Sequence, residues 1–190
     1  AEGTQKFVCG GEESFGFMTG DFVRDKDSCG SIVLACEIAA WCKANGKTMY
    51  QYMIEIYEDL GMYYEGLVNI VRKGKEGAEE IQNMMKNFRE NPPKELAGSL
   101  VEEVKDFKEQ TSLTVSTGDK KVMNDIPKSN VLIYYTQDGT KVCVRPSGTE
   151  PKIKFYVSVK DVIKSEADFK DKLKSLEAKI EAVKTDLKLD

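Results

Sequence analysis

The sequence contains no histidine, and it has only five prolines and a single tryptophan in 190 residues. Without histidine, a mixed Cys/His metal site cannot form, and no C-x-x-C spacing replaces it. An odd number of cysteines without such spacing is typical of reduced thiols in the cytoplasm. We therefore expect a cytoplasmic protein whose five cysteines are structural or incidental, namely Cys9, Cys29, Cys36, Cys42 and Cys143.

A long apolar run and an excess of positive charge are also missing. The most apolar stretch, residues 31–42, is shorter than the ~20 residues that cross a bilayer, and it contains Glu37. No signal peptide is visible at the N-terminus. The net charge of −4 and the pI of about 5.2 argue against nucleic acid or an anionic membrane as the main partner. The composition, 41% hydrophobic and 32% charged, is that of a soluble globular protein with one large or two small domains.

Hydrophobic periodicity and turn residues predict both helices and strands. Asp27 or Ser28 is the expected cap of the first helix and Thr48 that of the second. Asp138-Gly139 predicts a tight hairpin turn, and residues 99–108 fit either a strand or a helix. The polar run 109–121 is predicted to be a loop. Helices are expected at 25–46, 47–61, 76–93 and 165–190, and strands at 5–11, 62–74, 151–159 and on both sides of the hairpin turn within 130–145.

The last predicted helix begins with Ser165 and Asp168, the spacing of a capping box. Its apolar residues recur every three or four positions, which indicates a helix that packs on the sheet; a coiled-coil partner helix is the alternative. The two units of the chain are expected to meet near Leu60-Gly61. The sequence thus predicts an α+β fold, with an antiparallel sheet and helices on one face in 61–190, after a partial α/β unit in 1–60.

Two strands are interrupted by the stretch RPSGTEPK at residues 145–152. Arg145 offers a planar set of donors that suits phosphate oxygens, and Lys152 adds a second cation. Ser147 and Thr149 add hydroxyl groups, and Gly148 lets backbone N–H groups approach an anion closely. We interpret the loop as an anion-binding site; a surface hairpin with an incidental arginine is the alternative. Neither a Walker loop nor a Rossmann fingerprint is present in the sequence.

A second unusual stretch, CGGEESFGFMTGDFVRDKD, covers residues 9–27. Glu12 and Ser14 alternate after a glycine turn and can project to one side, where a carboxylate and a hydroxyl suit vicinal sugar hydroxyls. Arg24, Asp25, Lys26 and Asp27 follow at the start of a helix. They fit either a substrate contact or helix capping within a solvated charged segment.

Together, GGEESFGF, DFVRDKD and RPSGTEPK, in this order and separation, resemble the α-D-phosphohexomutases, the phosphoglucomutase and phosphomannomutase family. The resemblance covers nearly the whole chain. Family members have four domains around a cleft, so 1–60 resembles the end of the third domain and 61–190 the complete fourth domain. The resemblance implies an isomerase that interconverts hexose 1-phosphate and 6-phosphate through a phosphoserine and a bisphosphate intermediate.

The resemblance also implies roles for particular residues. Arg145, Ser147, Gly148, Thr149 and Lys152 would hold the phosphate that is not transferred. A separate set comes from the other motifs, in which Glu12 and Ser14 would hold sugar hydroxyls and Lys26 would contact substrate and assist proton transfer.

The chain departs from the family pattern in one large respect. The phosphoserine motif T-A-S-H-N-P and the magnesium motif D-G-D-x-D-R are both absent. Magnesium is therefore expected only in a full-length parent, with no metal ligands and no bound cofactor here. We expect a substrate-recognition fragment that is inactive alone and that self-associates through the incomplete third domain. A stand-alone sugar-phosphate-binding module and a helper domain for another subunit are the alternatives.

Overall fold

The computed structural model describes residues 6–12 and 16–189, with Glu12 described by its backbone alone. The chain divides into two compact units, one up to Ile56 and one from Tyr57 onward. This division falls inside a helix, four residues before the boundary that the sequence suggests, and the domain limits 1–60 and 61–190 stay a prediction. No helix in the described part of the chain is both long and apolar enough to cross a membrane.

The first unit contains a short hairpin and two helices. In the hairpin, Gly11 pairs with Phe17 and Glu12 with Gly16. The first helix is capped by Asp27, whose carboxylate accepts hydrogen bonds from the amides of Cys29 and Gly30, as the sequence allows. The elements are β1 (Gly10–Glu12), β2 (Gly16–Met18), α1 (Ser28–Ala44) and α2 (Met49–Leu60), the last of which runs into the second unit.

The second unit is built on an eight-stranded sheet in which every pairing is antiparallel. The strand order is β3-β10-β9-β8-β5-β6-β7, with β4 paired to β5. Two helices complete the unit. Its elements are β3 (Met62–Val71), α3 (Gly74–Glu90), β4 (Glu95–Leu96), β5 (Ser99–Asp106), β6 (Thr111–Thr114), β7 (Lys120–Val122), β8 (Leu132–Thr136), β9 (Lys141–Pro146), β10 (Lys152–Asp161) and α4 (Glu166–Asp186).

Both helices of this unit cover the same face of the sheet. The ring of Phe88 on α3 packs edge-on against Phe155 on β10, with centroids 5.5 Å apart. Ile180 on α4 lies so close to Gly66 on β3 that a Cβ there would come within 2.9 Å of its side chain. Gly66 pairs with Val157, which points to the same face as Phe155 because it lies two residues away. The predicted α+β fold, with helices on one face of an antiparallel sheet, is confirmed, and we call the face opposite α3 and α4 the open face.

The central hairpin turn is held by a cluster of hydrogen bonds around Asp138. Its carboxylate accepts from the hydroxyls of Thr136 and Thr140 at 2.6 and 2.9 Å, and from Lys179 of α4 at 2.6 Å. Gly139 has a φ of 82°, which an L-residue rarely adopts. The Asp-Gly signal therefore identifies the turn, and the turn also joins the sheet to the last helix.

Three local predictions are wrong. The strand expected at 5–11 is not formed by the described residues 6–9, and β1 begins only at Gly10. The polar run 109–121 is not a loop throughout, because it supplies β6 and the start of β7. The capping box is not formed either: the side chain of Ser165 makes no capping hydrogen bond, and the carboxylate of Asp168 accepts from the amide of Lys164. The uncertain segment 99–108 contains β5.

Candidate functional site

The stretch that interrupts two strands forms a tight connection between β9 and β10. Arg145 pairs with Lys154 and Pro146 with Ile153, so the strands stay in register up to the loop. The amide of Ser147 donates to the carbonyl of Lys152 at 2.8 Å, which closes the loop at its base. Residues 147–151 therefore project from the end of a rigid two-stranded support.

Inside the loop, the hydroxyl of Ser147 accepts hydrogen bonds from two backbone amides. Its oxygen accepts from the N–H groups of Thr149 and Glu150 at 3.4 and 3.3 Å. Both bonds are long for N–H···O contacts, and both are exposed to solvent. The amides of Thr149 and Glu150 therefore point toward one place and are only weakly bonded to the Ser147 hydroxyl. An anionic oxygen could accept hydrogen bonds from both of them.

The fold does not require glycine at position 148. A Cβ built at this position meets no atom within 4 Å, and its φ lies outside the left-handed region. The absent side chain instead leaves open space at the tip of the loop. Close approach of a ligand to the backbone is a physical reason for glycine at such a position.

A cavity of about 350 Å³ lies beside the loop on the open face of the sheet. It contains three cationic residues and no carboxylate among its lining residues. Within the described part of the chain, the side chain of Arg145 makes no hydrogen bond or ion pair, so its guanidinium is available to an anion. The residues of the cavity used here are Arg145, Ser147, Thr149, Lys152, Lys154 and Tyr156.

Lys152 is engaged by a carboxylate of the loop itself. Its ammonium forms an ion pair with Glu150, and the hydrogen bond from Lys152 holds the pKa of the Glu150 carboxyl below its usual range.

The thiol of Cys143, two residues before Arg145, has a raised pKa because it is buried, although Lys141 and Arg145 oppose the shift. Cys143 is therefore a thiol rather than a nucleophilic thiolate at neutral pH.

The opposite side of the loop faces the first turns of α3. A second cavity, of about 260 Å³, lies there between the loop and Gly74, Ala78 and Gln82. Glu150 lines this cavity and Arg145 does not. The loop thus separates a cationic side from a side that carries one carboxylate.

The predicted sugar-binding residues lie in the first unit and are only partly described. Ser14 lies outside the described residues, and Glu12 is placed by its backbone, opposite Gly16. Lys26 lies against the same end of the hairpin, since a Cβ on Gly16 would overlap its side chain. Lys26 therefore lies close to Gly16, the strand partner of Glu12. Asp27 caps α1, so for this residue the capping interpretation holds.

Two residues of the cationic cavity were missed by the sequence analysis. Lys154 and Tyr156 are internal residues of β10, and alternation alone gives them no functional signal. Lys154 lies 5.7 Å from the centroid of the Tyr156 ring. Their position on the open face beside Arg145 could have been inferred from the two-residue periodicity of β10, once the helices had been assigned to the other face.

Among the residues that the structure describes, no three His, Cys, Asp or Glu side chains come together in a way that could hold a metal ion. The side chains that the structure describes therefore offer no ligand set for the magnesium ion that the resemblance implies for a longer protein.

An antiparallel sheet with two helices on one face, and a loop with cationic side chains between two adjacent strands, define the second unit as an α+β domain. A family model described as Phosphoglucomutase/phosphomannomutase, C-terminal domain, matches residues 67–183. A second, described as alpha/beta/alpha domain III of the same family, matches residues 2–60. The chain therefore belongs to the phosphoglucomutase/phosphomannomutase family, and the resemblance inferred from the sequence is confirmed.

Individual relatives agree with this assignment. Phosphoglucomutases of Staphylococcus aureus strains MRSA252 and N315 are 38% and 37% identical to the chain over 158 residues. These matches cover 82% of the chain and 28% of each relative, so the chain spans less than a third of their length. The crystal structure of pp63/parafusin, a Paramecium phosphoglucomutase in its open form, matches 96% of this chain and 30% of that chain, with a TM-score of 0.56. At 15% identity, this last likeness concerns the fold alone.

Proposed function

We propose that this chain is the substrate-recognition part of a phosphohexomutase, an isomerase that interconverts hexose 1-phosphate and hexose 6-phosphate in the cytoplasm. The cationic cavity beside residues 145–149 is the observation that carries the proposal. In it, Arg145 supplies a planar pair of donors for phosphate oxygens, and Lys152 and Lys154 supply further positive charge. Family membership and the printed names of the relatives support the choice of a phosphorylated hexose as the ligand.

In this proposal, the loop holds the phosphate that is not being transferred. One phosphate oxygen replaces the hydroxyl of Ser147 as the acceptor for the amides of Thr149 and Glu150, whose present bonds are long. Arg145 binds a second oxygen, and Gly148 leaves the space for this approach. Because phosphoryl transfer depends mainly on positioning and charge stabilisation, a fixed distal phosphate contributes directly to the rate.

The hairpin of the first unit supplies the sugar contacts. Glu12 and Ser14 are proposed to bind hexose hydroxyls, and Lys26 to contact substrate and assist proton transfer. The packing of Lys26 against Gly16 supports a shared site at this end of the hairpin. The phosphoserine and the magnesium ion of the reaction are proposed to belong to other parts of a longer protein, because neither motif occurs here.

The proposal is tested by titrating the chain with inorganic phosphate while the amide NMR signals of Ser147, Gly148 and Thr149 are followed. We expect millimolar affinity, about −4 kcal/mol, since the contacts are few and exposed to water and salt. Arg145→Ala is expected to remove most of the binding, and Arg145→Lys to restore part of it, because an ammonium lacks the two-point geometry. Lys141→Ala is the matched control, since it removes the same charge from the same face of β9 outside the cavity.

Two outcomes of this titration would contradict the assignment. In one, the signals of residues 147–149 stay fixed while others move; in the other, Arg145→Ala titrates like the unmodified chain. Turnover of glucose 1-phosphate by the purified chain, above that of a blank preparation, would contradict the proposal that the phosphoserine and the magnesium ion belong to other parts of a longer protein.

A stand-alone sugar-phosphate-binding module is the second candidate function. It is favoured by one observation: every lining residue of the cationic cavity belongs to the second unit. Tight binding of a hexose phosphate by the isolated chain, at micromolar rather than millimolar concentration, would support the module in place of the mutase part.

The exposed apolar side chains of α1 and α2 lead to a proposal about partners. Ile32, Val33 and Trp41 are all about half exposed or more. Such a concentration of apolar surface is typical of a surface that is covered in a larger assembly. We propose that other parts of a longer protein cover this surface, and that a second copy covers it in the isolated chain.

A further inference from the structure

We propose that the outer edge of β3 is a docking site for a second copy of this chain, and that two copies join their eight-stranded sheets by pairing β3 with β3 about a two-fold axis at Leu67. The free backbone edge of β3 faces away from β10, whereas the cationic cavity is lined by β10 and by the loop before it. The inference does not depend on the proposed function.

The strand has one unpaired edge over its whole length. It pairs with β10 from Met62 to Val71 without a register shift, and no other described strand pairs with it. The amide of Arg72 donates to the carbonyl of Pro151. Because hydrogen-bonded and non-hydrogen-bonded pairs alternate in an antiparallel ladder, the even-numbered residues of β3 form the hydrogen-bonded pairs with β10. The backbone groups of the odd-numbered residues therefore point away from the sheet, and these residues are Tyr63, Glu65, Leu67, Asn69 and Val71.

The same five residues carry the exposed side chains. The burial pattern of β3 alternates strictly, and every odd position is exposed. Tyr63, Leu67 and Val71 are 53, 39 and 61% exposed, and Glu65 is the only charged residue of the strand. The edge therefore combines unpaired backbone groups with apolar side chains on the open face.

The other end of the sheet shows how an edge is normally protected. There, β7 has only three residues, and two of them are Lys120 and Lys121. Short length and lysine are devices that prevent pairing between sheet edges. In β3 there is no lysine, no proline and no bulge over ten residues. The contrast within one sheet indicates that the β3 edge accepts another strand.

The β3 edge of a second copy is complementary to this edge. When Leu67 pairs with Leu67 of the other copy in antiparallel register, all outward backbone groups find partners of the same kind. Tyr63 then lies opposite Val71, and Glu65 lies opposite Asn69. Aromatic and β-branched pairs stabilise antiparallel strands, and no like charges stand opposite each other. The interface is isologous, so the pairing of β3 with β3 by itself joins only two copies.

The support behind the strand is rigid enough for this addition. Ile180 of α4 packs directly against the backbone at Gly66, at the middle of β3. A strand that is held straight by its own domain loses little conformational entropy when it pairs. Addition of a strand to a sheet edge is a recurrent form of protein recognition.

The test is sedimentation velocity on the purified chain from low to high micromolar concentration, combined with amide hydrogen exchange. We expect a monomer–dimer equilibrium, with protection of the amides of Tyr63, Glu65, Leu67, Asn69 and Val71 that rises with concentration. Leu67→Lys places two ammonium groups opposite each other on the axis and should raise the dimer dissociation constant by about tenfold or more. Val122→Lys, at an exposed position of β7, is the matched control and should leave the dimer unchanged.

Three results would overturn the inference. The first is a chain that stays monomeric over the whole range, the second is a dimer that Leu67→Lys leaves intact, and the third is concentration-independent exchange of the five amides. Trp41→Glu separates this surface from the apolar surface of α1: a dimer lost in Trp41→Glu but kept in Leu67→Lys pairs elsewhere. The exchange measurement uses the unmodified chain, so the inference stays falsifiable if a variant fails to fold.

Discussion

The unit up to Ile56 and the unit from Tyr57 onward differ in how they bury their apolar side chains. In the described part of the first unit, only Cys42 and Ile54 are buried apolar residues, and Ile32 and Trp41 of α1 are 64% and 49% exposed. In the second unit, apolar residues of six strands and both helices are buried. The first unit therefore obtains little stability from its own core, whereas the second contains what an independently stable domain needs.

The two units also differ in what supports their candidate sites. Residues 147–151, which we propose to bind phosphate and call the phosphate loop, project from β9 and β10, and both strands are paired on each side within the large sheet, so the base of the loop is fixed. The loop that carries Glu12 belongs to a hairpin of two three-residue strands. A hairpin of this size is marginal by itself, and its geometry depends on what packs around it. We therefore expect phosphate binding, rather than sugar binding, to survive in the isolated chain.

The largest effect that would test this comparison is expected at Phe155. Its side chain is fully buried and packs against Phe88. Phe155→Ala should lower the free energy of unfolding of the second unit by about 3–5 kcal/mol. Urea denaturation followed by far-UV circular dichroism measures the change. Trp41→Ala is the control in the first unit and should cost less than about 1 kcal/mol in the same transition; similar losses for both variants would show that the two units do not differ in this way.

A slightly smaller loss of unfolding free energy is expected when the buried ion pair of the second unit is broken. Arg89 on α3 donates to Asp106 at 2.7 Å and to Asn130 at 2.9 Å, and both charged side chains are largely buried. Arg89→Ala leaves the carboxylate of Asp106 without its cation and should cost about 3 kcal/mol. The exposed pair of Arg72 and Glu80 is the comparison: Arg72→Ala should cost less than about 1 kcal/mol. Equal losses in thermal unfolding would mean that burial is not what makes the first pair important.

The single tryptophan makes the comparison sharper, because it reports on the first unit alone. Trp41 packs against Tyr52, with ring centroids 4.9 Å apart, and Lys47 lies over its ring. We expect the fluorescence of Trp41 to change at a lower urea concentration than the far-UV signal, because the second unit supplies most of the regular structure. A strictly monomeric chain in which both signals change together would count against a weaker first unit.

Much of this architecture could be predicted because local and tertiary signals agree. The Asp138-Gly139 turn, the strands on both sides of the phosphate loop and the final helix all have periodic apolar residues next to strong turn or cap residues. The short strands β6 and β7 were missed, since Thr, Ser, Gly and Asp dominate residues 109–121 and pairing with β5 decides their conformation. Propensity carries little information where a neighbouring strand determines the structure.

The candidate site was predictable only in part, for a similar reason. Arg145 and its neighbours stand out in the sequence because they interrupt two strands. Lys154 and Tyr156 do not, because their role depends on which face of the sheet the helices leave open. The ion pair of Arg89 with Asp106 joins residues 17 positions apart, and no periodic pattern marks it.

A weaker, pH-dependent effect is expected at the hairpin turn of the second unit. Burial would raise the pKa of Asp138, but hydrogen bonds from Lys179, Thr136 and Thr140 outweigh it and hold the pKa well below its usual range. A lowered pKa in the folded state stabilises the fold above about pH 4, the usual value for aspartate, and this contribution is lost as the pH falls further. Asp138→Asn should therefore be less stable than the unmodified chain at neutral pH, with a difference that shrinks in acid. A difference that is constant across denaturation curves from pH 7 to about pH 2 would show that ionisation of Asp138 is not involved.

The smallest effect is expected at the turn between β4 and β5, and it has the opposite sign. Ala97 and Gly98 have φ angles of 48° and 78°, the pattern of a two-residue hairpin turn that favours Asn-Gly. Left-handed backbone costs a residue with a Cβ about 1–2 kcal/mol, and asparagine tolerates it better than alanine. Ala97→Asn keeps the backbone amide that donates to Asp186 of α4 at 2.7 Å, so it should stabilise the second unit by about 0.5 kcal/mol. Ala97→Val is the matched opposite, because a β-branched side chain at positive φ adds strain. The two variants should shift the thermal midpoint of the second unit in opposite directions, and a shift in the same direction would mean that the conformation of Ala97 does not limit stability there.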